Sequence, residues 1–319
     1  MAKENSPIVA FGPVPSRRLG RSLGINNIPP KVCSYACAYC QVGDTLNKRS
    51  TRREFYTSGE ILCEVESSLE ALARKGESVD YLSFVPDGEP TLDVNLGRHI
   101  EQLAKFEIPV AVITNSSLLH LPETREQLAE ADWVSLKIDT VDKAVWQTLN
   151  RPHTGLDFDR ILEGIVDFGD AFTGTLVTET MLVAGVNDGK EQPAVTADFL
   201  ATLGPDLACL SIPTRPPASR WVKIPDAETI VRCHGVFSAR VGNVECLTGY
   251  EGSDFSVSGT PRASLLGITA VHPMREDAVQ EFLHRAGASW SLVEELISDG
   301  QLCTTVYAGH KYYLRPPRP

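Results

Sequence analysis

From residue 22 to about 215 the chain alternates short β-branched runs with amphipathic stretches, the rhythm of repeated strand–helix units around a parallel sheet. Six runs read as strands: SLGINNI (22–28), DYLSFVP (80–86), PVAVITN (109–115), WVSLKID (133–139), TLVTETMLV (175–183) and LACLSIP (207–213). Between them, SGEILCEVESSLEALARKG carries apolar residues at helical spacing, with Ser58 as the expected cap and Gly76 as the expected end. LGRHIEQLAKF, ETREQLAEA, LDFDRILEGIVDF and QPAVTADFLATLG repeat that pattern. Six units fall short of the eight of a closed barrel. The α/β class therefore resolves into a partial (β/α)6 TIM-like barrel or an open doubly wound sheet, between which periodicity alone does not choose.

The pattern loosens after TRPPAS (214–219) and stays loose to about residue 260. The end differs in kind: ASLLGITAV, REDAVQEFLHRAG and SWSLVEELISDG read as three short helices, and CTTVYAGHKYYLRP as a hairpin turning at Ala308-Gly309. Three helices and a hairpin follow the order of a winged helix. The expected division is residues 1–260 as a core with extensions at both ends and 261–319 as a small winged-helix-like domain, broken at Gly259-Thr260-Pro261.

Composition adds limits. The 319 residues are 42% hydrophobic and 22% charged, enough for a sizeable core. No stretch is long and apolar enough for a signal peptide or a membrane span, so a cytoplasmic location is expected. A net charge of −11 argues against a protein that coats nucleic acid. The charge is uneven, however. From Arg17 to Arg53 eight basic residues face one acid, Asp44, so that window carries +7 and the remainder −18. An anionic visitor fits there, whether a phosphate-bearing substrate, an RNA or an acidic electron-donor protein; a merely solvated loop is the alternative. The tail from Arg262 onward is neutral, with six basic and six acidic residues, and its third helix carries no Lys or Arg, which speaks against a DNA partner.

Of eight cysteines only Cys33, Cys37 and Cys40 cluster, and in a reducing compartment such a group binds metal more readily than it forms disulfides. Three ligands leave one iron of a 4Fe–4S cluster open, which a catalytic cluster needs. A structural zinc would want a fourth ligand, and no His or Cys lies between residues 41 and 62. In WVSLKID, Ser135, Lys137 and Asp139 share one face and Val134, Leu136 and Ile138 the other. A lysine on a strand of a sheet covered on both faces is unusual, so Lys137 is expected to point into the barrel mouth.

Cys33-x3-Cys37-x2-Cys40, with Tyr39 before the last cysteine, resembles the signature of the radical S-adenosylmethionine (SAM) superfamily. Asp87-Gly88-Glu89-Pro90-Thr91 resembles the Gly-Gly-Glu segment whose backbone and carboxylate receive the SAM amino group, here with Asp in place of the first Gly. Thr114-Asn115-Ser116 is similar to the Thr-Asn-Gly that lines the SAM pocket, with Ser for Gly. Lys137 resembles a position that contacts the SAM carboxylate in some members; the alternative is a Schiff base with a carbonyl substrate. Glu179 and Asn187 are further candidates for the same cavity, and Arg151, His153 and Arg215 for gripping an anion. GPVPSRRLGRSLGIN, DGEPTL, AVITNSSLL, LNRPH, MLVAGVND and TRPP together resemble the branch containing 4-demethylwyosine synthase, over residues 11–217. That branch's second cluster needs cysteines upstream, and none precedes Cys33, which argues against wyosine synthesis itself.

The resemblance implies an oxygen-sensitive 4Fe–4S enzyme, reduced by flavodoxin or ferredoxin, that cleaves SAM to a 5'-deoxyadenosyl radical and modifies an RNA base or a phosphate-bearing small molecule. Two alternatives stand beside it. One is an activase or peptide-modifying enzyme that docks a protein partner on its tail, and the other an iron–sulfur sensor that binds DNA.

Overall fold

The computed structural model describes residues 9–45, 47–249 and 252–316. β1 (Ala10–Ser16) pairs antiparallel with β2 (Gly20–Ile25). A two-residue parallel ladder follows, β3 (Val32–Cys33) beside β4 (Asn47–Lys48), and brackets the cysteine segment. The chain then alternates through α1 (Ser58–Ala73), β5 (Tyr81–Phe84), α2 (Leu96–Leu103), β6 (Val110–Thr114), α3 (Pro122–Leu128) and β7 (Trp133–Lys137). It continues through α4 (Lys143–Leu149), α5 (Phe158–Ala171), β8 (Thr175–Met181), α6 (Glu191–Leu203), β9 (Leu207–Ser211), α7 (Ala227–Ser238) and β10 (Val244–Leu247). The main sheet runs β1-β2-β5-β6-β7-β8-β9-β10, parallel throughout from β2 to β10.

All six strands read from the sequence are present, each ending one to three residues sooner than its pattern. Those surplus residues leave the ladders and form the loops at the C-terminal edge of the sheet, where parallel sheets place their ligands. Besides the two-residue strands β3, β4 and one in the C-terminal segment, four elements escaped the pattern. β1 holds two prolines, which an edge strand tolerates. β10 is four residues with Glu245 among them, and α4 and α7 lie in stretches read as irregular. β10 gives the partial barrel a seventh parallel strand. The α1 cap is also one residue earlier than Ser58: the Thr57 side chain accepts from Glu60 N, and Glu60 returns the bond to Thr57 N at 2.8 Å, a closed capping box.

Strand alternation sorts the two faces. Val110, Val112, Val134, Leu136, Leu176, Ala208 and Leu210 join the main core with the helices. Ala111, Trp133, Val177 and Cys209 point the other way and, with Leu19 and Leu247, form an apolar floor inside the sheet's curve. Above this floor the inner face turns polar, through Ser22, Ser83, Ser135, Lys137, Glu179 and Ser211.

The C-terminal segment folds as α8 (Pro261–Val271), β11 (Met274–Arg275), α9 (Glu276–Ala286), α10 (Ser291–Ser298), β12 (Cys303–Tyr307) and β13 (His310–Leu314), with an antiparallel sheet ordered β11-β13-β12. Its own core includes Leu265, Ile268, Met274, Phe282, Leu296 and Tyr313, joined by Phe255 and Val257 from before α8. The hairpin turns at Ala308 and Gly309, both with positive φ (48° and 78°), the primed-turn geometry that matches strand twist. Among the described residues no helix is long and apolar enough to cross a membrane.

α5 packs its Gly164 directly on the loop after β6: a Cβ there would stand 2.2 Å from the Leu119 carbonyl oxygen. In a solvated helix Gly→Ala is worth about 1 kcal/mol in favour of folding. Here the clash is with backbone, and overpacking costs about 1–3 kcal/mol. Gly164→Ala is therefore expected to lower stability by roughly 1–2 kcal/mol in a urea titration; a gain would show that α5 can slide away from the loop.

Candidate active site

A cavity of about 320 Å³ opens at the C-terminal edge of the strands, within the usual range for ligand sites. Four separate parts of the chain wall it: the β1–β2 hairpin, the cysteine loop, the strand ends from β5 to β9, and the Val271–His272 corner of the C-terminal domain.

Cys33, Cys37 and Cys40 all line this cavity as free thiols. Burial, together with the neighbouring thiols and carboxylates, holds them protonated: Cys37 is pushed up to about 12, and Cys33 and Cys40 are also raised. A bound metal reverses that, since thiolates are the ligands. Two amides already aim at the sulfurs. Asn115 Nδ2 lies 3.5 Å from Cys33 Sγ and Asn150 Nδ2 3.6 Å from Cys37 Sγ, the kind of donor that tunes an iron–sulfur cluster. Among the described residues no three His, Cys, Asp or Glu side chains converge as a ready-made single-ion site. Three thiols on one loop supply ligands for three irons of a cluster and leave the fourth open.

The β5–α2 loop packs against the strand that delivers Cys33. Gly88 bridges Val32, and a Cβ on Gly88 would sit 2.0 Å from the Val32 carbonyl oxygen, so no larger residue fits. Glu89 is fully buried beside it. Its Oε1 accepts from Thr91 N (3.0 Å), Thr91 Oγ1 (2.5 Å) and Thr114 Oγ1 (2.6 Å), and its Oε2 from Asn115 N (2.7 Å). Three donors crowd Oε1 and one reaches Oε2, which keeps acceptor capacity. Glu89 therefore splints the ends of β5 and β6 together through Oε1 while Oε2 can still accept a further donor. Burial raises its pKa against those four hydrogen bonds.

On the inner face Lys137 points into the cavity as the alternation predicted. Its Nζ lies 2.9 Å from Glu179 Oε1 and 5.4 Å from the centre of the Tyr39 ring. Parallel register sets Lys137 opposite Glu179 on the neighbouring strand. Arg18, from the β1–β2 turn, binds the other Glu179 oxygen, and Ser211 Oγ donates to Oε1 at 2.8 Å. Burial alone would raise the Glu179 carboxyl, but Arg18 and Lys137 hold it well below the usual carboxylate range. Burial likewise opposes the charge on Lys137, yet Glu179 and Asp139 prevail and keep its pKa above the ordinary value.

Tyr39 donates its hydroxyl to Asp139, which also accepts from Asn150 Nδ2 (2.7 Å) and Met181 N (2.9 Å). Burial, then the adjacent carboxylate, keeps this phenol protonated. Asp139 is thus the hub of a network reaching Cys37 through Asn150.

The remaining expectations divide. Asn187 lies outside the cavity wall: it accepts from Val183 N and donates to the carbonyls of Asp139 and Met181, which makes it a staple for its own loop. His153 Nδ1 accepts from Gly155 N in a turn, and Arg151 binds Ser219 Oγ at 2.5 Å; neither lines the cavity. Arg215 does line it. The basic window splits too. Arg17, Arg18 and Lys31 face the cavity, whereas Arg21, Arg52 and Arg53 are occupied by Glu77, by the Thr91 and Asp93 carbonyls, and by the Phe55 ring. Sequence reasoning gave no individual role to Arg18, Asp139, Asn150, Gln41 or His272. Arg18 stood in the basic window, Asp139 was the third polar residue on the Lys137 face and Asn150 lay in the LNRPH motif, whereas Gln41 and His272 carried no signal.

Residues 27–200 match the family profile described as the Radical SAM superfamily. UPF0026 protein MJ1312 of Methanocaldococcus jannaschii is 43% identical over 309 residues, covering 96% of each chain. Among solved structures, the chain is similar to TYW1 with a lysine-pyruvate adduct bound (TM-score 0.52, 13% identity, 69% of this chain and 74% of that one). It is also similar to Streptococcus suis SuiB bound to S-adenosylmethionine (TM-score 0.51, 17% identity, 72% of this chain), of which it spans 51%.

The splint reading of Glu89 has a direct consequence. Glu89→Gln replaces two acceptor sites with N–H donors facing donors, which should cost about 1–3 kcal/mol of stability in the cofactor-free protein. Thermal unfolding of apo-protein checks it: a carboxylate that served only to bind SAM would leave the unfolding midpoint unchanged.

Proposed function

Because the chain belongs to the radical SAM superfamily, whose enzymes use a 4Fe–4S cluster and SAM, we propose that it cleaves SAM reductively in this cavity and modifies an anionic substrate there. That substrate is a single base on tRNA or a phosphate-bearing small molecule, the size a cavity of about 320 Å³ accepts. The observation that carries the reading is the Arg18–Glu179–Lys137 network on the inner face. Two cations share one carboxylate where a parallel sheet ordinarily buries apolar residues. Net positive charge held inside a concave, partly dehydrated wall favours an anion, and charge buried at this cost is the mark of a functional site.

Cys33, Cys37 and Cys40 would hold the cluster, which with SAM supplies reductive carbon–sulfur cleavage and a carbon radical for hydrogen abstraction. The chain's own residues bind, orient and exclude. Gly88 lets the β5–α2 loop approach the cysteine loop, while Thr114 and Asn115 fix the rim between Glu89 and Cys33. Tyr39, held by Asp139, covers the base of the cysteine loop. Lys137 acts as a cation. A Schiff base such as the adduct in the TYW1 structure requires a neutral amine, and the 2.9 Å pairing with Glu179 opposes that form.

Lys48 and Arg49, next to the cysteine loop, offer basic groups to an acidic flavodoxin or ferredoxin as reductant, and a reducing cytoplasm suits free thiols. The order helix, strand, two helices, two strands in the C-terminal segment supports the reading of a winged-helix-like unit.

Anaerobic reconstitution with iron and sulfide, then dithionite and SAM, should release 5'-deoxyadenosine, and replacing any of the three cysteines with Ala should abolish it. RNA or phosphate-bearing fractions of cell extract should accelerate release, and phosphatase-treated or RNase-treated fractions should lose that effect. Lys137→Ala should keep the cluster absorbance yet lower kcat/KM for SAM or substrate about 10–100-fold, the loss expected for a charged hydrogen-bonding partner. Wild-type protein that holds a cluster and leaves SAM intact would refute the assignment.

A further inference from the structure

The C-terminal domain reaches the cysteine loop itself. Gln41, the residue after Cys40, donates from Nε2 to the Val271 carbonyl at the end of α8 (2.9 Å). Its Oε1 accepts from Arg215 Nη1 (2.8 Å). Arg215 in turn lies 3.0 Å through Nη2 from His272 Nε2, which must be the acceptor because a guanidinium only donates. Tyr307 and Tyr312 of the small sheet donate to the carbonyls of Pro213 and Thr214, both at 2.9 Å, and so hold the loop that presents Arg215. Tyr312 is completely buried. All five residues of the chain Gln41–Arg215–His272–Val271–Thr214 line the cavity.

We infer that Gln41 is a positioning residue through which the C-terminal domain fixes the cluster-bearing loop, so that this domain is a wall of the active site and not an independent module. Both hydrogen-bonding ends of one amide are used, one on the strand-end loop and one on α8. The amide therefore ties Cys40 to two segments remote in sequence. Cys40 is the thiol that most needs such a tie. Cys33 leaves a ladder strand, and Cys37 is flanked by Ala36 and Ala38, whose amides bind the Asn150 and Leu149 carbonyls. Among the described residues Cys40 has local contacts alone: its own N–H to the Cys37 carbonyl (3.0 Å), Gly43 N to its carbonyl (3.2 Å) and the Val42 backbone to its thiol. The side chain of its neighbour supplies the anchor the backbone lacks.

The inference rests on reading the cysteine loop as the cluster site, but its test needs neither cluster nor SAM. Full-length apo-protein is treated with iodoacetamide under anaerobic conditions, and alkylation of each cysteine is followed by peptide mass spectrometry. Gln41→Leu keeps the approximate size and removes both contacts. Cys40 alkylation should then rise roughly tenfold, because the loop opens more often once two hydrogen bonds are lost. Exposed Cys63 and fully buried Cys209 should keep their wild-type rates. Gln41→Glu, which retains the Arg215 contact, should fall between. His272→Ala, which changes only the C-terminal domain, should accelerate Cys40 roughly threefold and serves if Gln41→Leu does not fold. Wild-type Cys40 rates in His272→Ala overturn the proposal, as do Cys209 rates that climb in step with Cys40, since that pattern means general loosening. Unchanged Cys40 alkylation in Gln41→Leu would leave Gln41 without its positioning role, whereas failure of the wild-type protein to cleave SAM would count against the assigned activity and leave the alkylation result standing.

Discussion

The structure depends on immobilising a loop that has almost no regular structure of its own. Buried backbone groups must find partners somewhere, and those of the cysteine segment find them abroad. Ala36 N and Ala38 N bind carbonyls at the end of α4, Ser34 O accepts from His153 N, and Ala38 O accepts from Ser219 N. Tyr35 is pinned by Trp146 Nε1 on its hydroxyl and by Thr45 Oγ1 on its carbonyl. Apart from Thr45, which belongs to the segment itself, these partners sit on or just after α4 or in the loop that follows β9. The parallel sheet thus acts as a jig: by stopping its strands early it supplies the loop ends to which the cysteine segment is fastened.

Two buried carboxylates show how differently one fold can use the same group. Glu89 is surrounded by hydroxyl and amide donors without a cation, so burial prevails and its pKa rises. Glu179 is equally enclosed but stands between Arg18 and Lys137, so its pKa falls. The first arrangement draws its donors from two strand ends, and its effect is to fix the distance between them. The second pairs charge with charge: Arg18 and Lys137 share Glu179, and Asp139 also supports the charge on Lys137. Rigidity comes from the carboxylate held by neutral donors and cavity electrostatics from the one held by cations.

This contrast explains what the sequence made legible. Hydrophobic alternation placed Lys137 on the inner face because a strand's two faces are a local property, and the six core strands and the Ala308-Gly309 turn were visible for the same reason. The three cysteines were visible because their ligand spacing is also local. Glu89 looked like a ligand-binding carboxylate because its neighbours in sequence fit that role, whereas its hydrogen bonds come partly from Thr114 and Asn115 on another strand. Arg18, Asn150 and His272 sit on turns and loops, where periodicity carries no information. Their meaning arises from which strand ends the topology brings together. α7 and β10 hid in a stretch of weak amphipathicity, since a short strand at the edge of a sheet needs little apolar surface.

The neutral charge of the C-terminal domain, which on sequence grounds removed a DNA role and left its purpose open, is what its position requires. A domain that attached itself through salt bridges would have placed further charges beside the thiols and the Arg18–Glu179–Lys137 network, and would have altered the field that network sets. At the cavity it attaches instead through neutral donors on backbone carbonyls, Tyr307 to Pro213 and Tyr312 to Thr214, and through an uncharged amide at Gln41, while its charged contacts, Asp254 with Arg21 and the Val257 carbonyl with Lys75, lie outside the cavity wall. His272 meets Arg215 in its neutral form, because burial and then that guanidinium drive its pKa well below the usual imidazole value. The closure of the cavity by the C-terminal domain therefore adds mostly apolar wall and fixed dipoles, with Arg315 favouring the charged form of the cavity carboxylate Asp87 from this side.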